Sequence, residues 1–143
     1  MNILLGIGNE MNGDDGVGVY VAKKLKNDEW KTINCATVPE NFLGEILRSK
    51  PKKVVMVDAA DMGLKSGEIR KIRREKIGKA TFSTHCMPLS IFVSHLQREG
   101  IEVTIIGIQP KTTYGKISKE VKRAANKLIK IIKEGRIEEI EEL

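Results

Sequence analysis

A chain of 143 residues, 41% apolar and 31% charged, has enough material for a single hydrophobic core without disulfide or metal staples. No apolar run approaches the roughly 18 residues needed to cross a bilayer, and the N-terminus lacks the basic segment and cleavage site of a secretory signal, so a cytoplasmic protein with no membrane partner is expected. The net charge of +6 invites a nucleic-acid reading, but 4% aromatics offer little for bases to stack on, and alternating Lys and Glu resembles the solvated surface of a thermophile's protein; no nucleic-acid partner is expected.

The elements alternate along the chain. Ile3, Leu4, Leu5, Gly6 and Ile7 form a short buried-strand run that ends at Gly8 and Asn9. Val17, Val21 and Leu25 recur at four-residue spacing just after Asp14 and Asp15, which predicts a helix capped by one of those acids. The unit repeats. Thr32 to Val38 reads as a strand, Phe42, Leu43, Ile46 and Leu47 as a helix face, and Val54 to Val57 as a strand ending in Asp58.

Glu68 to Arg73 alternates apolar and charged residues as an edge strand does. Pro88 suits the first turn of a helix whose Leu89, Phe92, Val93 and Leu96 share one face, Val103 to Ile108 is a β-branched strand, and Ile117, Val121, Ala124, Leu128 and Ile131 mark a long last helix. Strands alternating with helices imply an α/β fold: one domain over 1–143, a three-layer sandwich in which about five mostly parallel strands carry helices on both faces. The acidic tail, about 134–143, is expected to fray.

Ligands of such sheets gather at the carboxyl ends of the strands. A dinucleotide fingerprint fails there, because the third glycine of G-x-G-x-x-G would fall on Met11 and the second strand supplies no convincing ribose-binding acid. Asp14 and Asp15 follow the first strand; one cap needs one acid, leaving the other free for a ligand. Asp58 closes an apolar strand, where an unpaired carboxylate is costly. His85 lies in Ser83-Thr84-His85-Cys86-Met87-Pro88, a connecting segment. Asp15, Asp58 and His85 together form an oxygen, oxygen, nitrogen set suited to nickel, manganese, iron or zinc, although a cap, a loop acid and a polar loop histidine account for them one at a time. His95 fits a packed or solvated helix position, and Cys35 and Cys86 fit two reduced thiols. Gly-x-Ser-x-Gly and His-Glu-x-x-His are absent, while an aspartic dyad of Asp15 and Asp58 remains open.

Gly6-Ile7-Gly8-Asn9 through Gly13-Asp14-Asp15-Gly16-Val17-Gly18, then Val57-Asp58-Ala59 and Thr84-His85-x-Met87-Pro88-Leu89, resembles the hydrogenase maturation endopeptidases. Pro39-Glu40-Asn41, Asp61-Met62-Gly63-Leu64, Gly67-Glu68-Ile69 and Gly107-Ile108-Gln109-Pro110 look like the branch serving the hydrogenase of formate hydrogenlyase. Glu10 and Asn12 depart from the apolar residues more usual there. The resemblance implies an aspartyl-type endopeptidase that removes a C-terminal extension from a nickel–iron hydrogenase large-subunit precursor after nickel insertion. It places Asp15, Asp58 and His85 as catalytic residues and metal ligands, with the nickel carried by the substrate, and Gly8, Asn9, Asp14, Glu40 and Asn41 as substrate contacts. The rival readings are a non-proteolytic metal-binding assembly factor and a nucleotide-binding domain using the first glycine loop.

Overall fold

The first strand, β1 (Asn2–Ile7), is buried along nearly its whole length, as expected of an apolar run flanked by strands on both sides. In the computed structural model, which describes residues 1–82 and 88–143, six strands form one sheet among the described residues. They are β1, β2 (Trp30–Ala36), β3 (Lys53–Asp61), β4 (Ile69–Ile72), β5 (Thr81–Phe82) and β6 (Glu102–Ile108). The order is β2-β1-β3-β6-β4, with β5 joined to the end of β3. The first four strands of that order are parallel, while β4 and β5 pair antiparallel with β6 and β3.

Among the described residues four α-helices cover the sheet: α1 (Val17–Lys24), α2 (Leu43–Ser49), α3 (Leu89–Arg98) and α4 (Lys119–Lys133). Strand alternation sends Leu4, Val55, Val57, Ile106 and Ile108 to one face, where Val17 and Val21 of α1 and Val121 and Leu128 of α4 cover them. Ile3, Leu5, Ile7, Val54, Met56 and Ile105 go to the other face, under Ile46 of α2 and Phe92, Val93 and Leu96 of α3. The three-layer α/β sandwich with a mostly parallel sheet is therefore present, with one short strand, β5, more than the apolar runs predicted. Two residues give too little periodicity to read.

Glycine fixes how closely α1 approaches the sheet. A Cβ on Gly6 would lie 2.4 Å from the carbonyl oxygen of Gly18, and one on Gly18 would lie 2.1 Å from that of Val57. Only hydrogens fit between these backbones, so α1 rests directly on β1 and β3.

Three expectations change. Neither Asp14 nor Asp15 caps α1: the segment Gly13–Gly16 is a 3-10 turn, α1 begins at Val17, and its N-cap position is Gly16. Asp58 lies within β3, which continues to Asp61 because β6 and then β5 go on supplying partners. The acidic tail does not fray. Gly135, at φ +69, turns the chain after α4, Ile137 and Ile140 bury themselves in the core, and the terminus lies along β4. There Lys71 N–H donates to the Glu141 carbonyl and Leu143 N–H to the Lys71 carbonyl, both at 2.9 Å, covering an edge strand that would otherwise be open. Among the described residues no helix is long and apolar enough to cross a membrane.

Candidate active site

The chain leaves β1 toward β2 through α1 on one face, and after β3 it reaches β6 through α3 on the other. The sheet therefore has its topological switch point between β1 and β3, where two loops diverge and leave a crevice beyond the carboxyl ends. Asp58 is at that crevice. Pairing between β1 and β3 ends at Gly6 with Val57, so Asp58 is the first residue of β3 past it, while its other side still pairs with Gly107 of β6. It is 1% exposed, and by alternation it shares the face of Met56 and Ala60, the face covered by α2 and α3.

The turn carrying Asp15 packs against β3. Its position follows from Gly8, whose φ of +143 and lack of a side chain let the Asp15 carbonyl press onto its Cα; a Cβ there would sit 1.8 Å from that oxygen. Asn9 N–H then donates to the same carbonyl at 3.1 Å. Asp15 is partly exposed and Asp58 buried, so two carboxylates in different surroundings flank one crevice. His85 and Cys86 lie outside the described residues; among the described residues no three His, Cys, Asp or Glu side chains form a metal-holding group.

Asp14 faces away from this crevice and into the fold. It is fully buried, and its carboxylate accepts from the Lys111 N–H at 2.8 Å, the Thr112 N–H at 3.0 Å, and both the N–H and hydroxyl of Ser118 at 2.7 and 2.9 Å. Asp14 braces the segment leading into α4, which supplies donors to both of its carboxylate oxygens.

The 8–12 loop satisfies itself in the same way. Gly8 N–H donates to Ala36, Met11 N–H to the Asn9 side chain at 2.9 Å, and Asn12 N–H to the Asn9 carbonyl. These are the amides a nucleotide phosphate would require, so the loop is not built as a phosphate cradle. Gly8 shapes the backbone and Asn9 closes the turn. Beside them an open groove is lined by Gly8, Asn9, Met11, Asn34, Ala36 and Thr37; nothing in the sequence singled out the last three, since they meet the loop only through the pairing of β2 with β1.

Glu40 and Asn41 occupy the turn Pro39–Phe42 between β2 and α2. Asn41 is exposed, whereas Glu40 is half-buried and its Oε2 is buried with no hydrogen-bond partner among the described residues. Cys35 lies close by as a buried free thiol; burial pushes it up to about 12 from an ordinary 9.0, with the Glu45 and Glu40 carboxylates adding to the shift. Gln109 is a further residue whose role the sequence did not disclose. Buried at the end of β6, it accepts from the Met62 and Leu64 N–H groups at 2.7 and 3.2 Å and donates to Asp61 at 3.1 Å, holding the turn that follows β3.

Residues 19–134 match the family model described as hydrogenase maturation protease. The hydrogenase 3 maturation protease of Escherichia coli K12 is 39% identical over 113 residues, which are 76% of this chain and 72% of that protein. Among solved structures, the endopeptidase HycI from Escherichia coli superposes with a TM-score of 0.90 at 32% identity over 100% of this chain and 96% of that one. The [NiFe] hydrogenase maturation protease HycI of Thermococcus kodakarensis gives 0.82 at 34% identity over 94% and 91%.

Proposed function

This chain belongs to the hydrogenase maturation protease family, an endopeptidase family, and from that premise we propose that it removes a C-terminal extension from a nickel–iron hydrogenase large-subunit precursor once nickel has been inserted. Nickel belongs to the substrate in this reading. Asp15, Asp58 and His85 add oxygen, oxygen and nitrogen donors to an ion that the precursor already holds, so that only a loaded precursor is seated with its scissile bond in register. Metal loading is the checkpoint.

The observation that supports the reading is the switch-point crevice, with Asp58 just past the last β1 pairing and the Asp15 turn packed on β3. Phe82, the last described residue before the segment with His85, and Leu89, the first residue of α3 after it, both belong to the apolar layer on Asp58's face. The chemistry is amide hydrolysis. Water adds to the scissile carbonyl carbon, a carboxylate takes the proton that water loses, the C–N bond breaks, and the leaving amine receives the proton. Asp15 suits that transfer because it keeps contact with solvent, while buried Asp58 is the more fixed donor.

Mass spectrometry of a nickel-loaded precursor incubated with the protein tests this directly. Loss of a C-terminal peptide is expected with nickel present, and neither without nickel nor with Asp58→Ala or His85→Ala. Tight binding of loaded precursors without cleavage would instead identify an assembly factor.

A further inference from the structure

Glu40 carries a buried acceptor for which the described residues provide no donor. Asp14 shows how this chain treats a buried carboxylate required for folding: it supplies four donors. Oε2 of Glu40, also buried, has none among the described residues. A buried acceptor left unpaired lowers stability, and a native fold that keeps one has a use for it.

The location indicates the use. Ala36 at the end of β2 pairs with Ile7 of β1, and one residue back along β1 Gly6 pairs with Val57, so Ala36, Ile7 and Asp58 lie at nearly one level across three strands. The Glu40 turn begins three residues after Ala36, and its carboxylate acts on Cys35, whose side chain lies in the apolar layer on Asp58's face. Two strand spacings separate the ends of β2 and β3, about 10 Å, which an extended peptide crosses in about three residues.

We infer that Glu40 is a specificity-determining residue of the same site, its carboxylate receiving a basic side chain of the precursor within about three residues of the scissile bond. This rests on the processing activity proposed above. A cation is the complement because a neutral donor would leave the buried charge uncompensated, and a guanidinium engages both oxygens at once. The terminal torsion of a glutamate is soft, so the carboxylate turns to an incoming fork without a change of backbone.

The test maps the cut in a nickel-loaded precursor, then replaces each Arg, Lys or His within three residues of it, singly, by Gln. Each precursor is titrated for binding and assayed for kcat/KM with the unaltered protein and with Glu40→Gln. One replacement is expected to weaken the unaltered protein's binding and kcat/KM by about tenfold or more while changing Glu40→Gln by less than about twofold. Glu40→Gln should also unfold at the same or a higher temperature, which a structural acid would not permit. Equal performance of Glu40→Gln on the native precursor, or effects that multiply independently for every replacement, would overturn the inference while leaving the processing activity intact. Where the unaltered protein makes no cut, the same Gln series is run over every Arg, Lys and His of the precursor's C-terminal region and read by binding alone: coupling of one of them to Glu40→Gln would remove the protease reading and keep Glu40 as a recognition residue, and no coupling would overturn the inference as well.

Discussion

Ser118 donates twice to Asp14, through its N–H to Oδ1 at 2.7 Å and through its hydroxyl to Oδ2 at 2.9 Å, so an acid from the first loop anchors the start of the last helix. Lys111 and Thr112 complete the arrangement. Asp14→Ala would leave three backbone N–H groups without their acceptor, and the expected loss is about 3 kcal/mol of stability, read as a lower urea midpoint at unchanged slope. Its neighbour behaves differently. Asp15→Ala should abolish precursor processing, measured at a temperature where both variants are folded.

Gly18→Ala tests the close approach of α1 to the sheet. The added methyl would lie 2.1 Å from the Val57 carbonyl oxygen and 2.4 Å from that of Ile7, and both acceptors are backbone, which cannot swing aside. The expected cost is about 3 kcal/mol or more. Because α1 holds the turn of Asp15 against β3, activity should fall even where the variant remains folded, and circular dichroism melts beside a processing assay would show both effects.

Gln109→Ala should release the turn that follows β3. Two N–H groups, of Met62 and Leu64, would lose their acceptor at an expected cost of about 2 kcal/mol. The hydrogen bond from Gln109, followed by that from the Gly63 N–H, holds the Asp61 carboxyl below its ordinary 3.8. A depressed carboxyl adds stability above its unfolded value and loses it as pH falls through the folded one. In the variant Asp61 should titrate closer to 3.8, which side-chain NMR between pH 2 and 5 would follow.

Cys35 should resist alkylation in the native protein near pH 8 and react fully once unfolded, as its thiol is buried and raised to about 12. The sign for stability follows from the same shift. Below 9.0 the thiol is neutral in both states; between 9.0 and about 12 only the unfolded chain ionises, so stability falls as pH rises through that window. Cys35→Ala should flatten the decline, and urea titrations from pH 8 to 11 would measure it.

Deleting 137–143 should expose the edge of β4 and remove Ile137 and Ile140, 4% and 8% exposed, from the core. The expected loss is about 4 kcal/mol, with concentration-dependent association through the uncovered strand. Sedimentation at two protein concentrations would detect the association. An unchanged melting temperature would mean that the tail contributes nothing to the core.

The sequence by itself determined the layered fold, because an element's burial is written in its own period: β-branched runs for β1, β3 and β6, and four-residue apolar spacing for α1, α3 and α4. It also located the acids near the strand ends and the family to which their spacing belongs. Tertiary structure alone decided where each acid lies and how deeply it is buried. Asp14 and Asp15 are adjacent and chemically identical, and what marks out Asp14 is the set of four donors that residues 111–118, a hundred positions away, bring to it. The folded tail and the Glu40 oxygen that has no donor among the described residues have the same origin: a donor or an open edge depends on what the fold brings from elsewhere in the chain, and no local pattern encodes it.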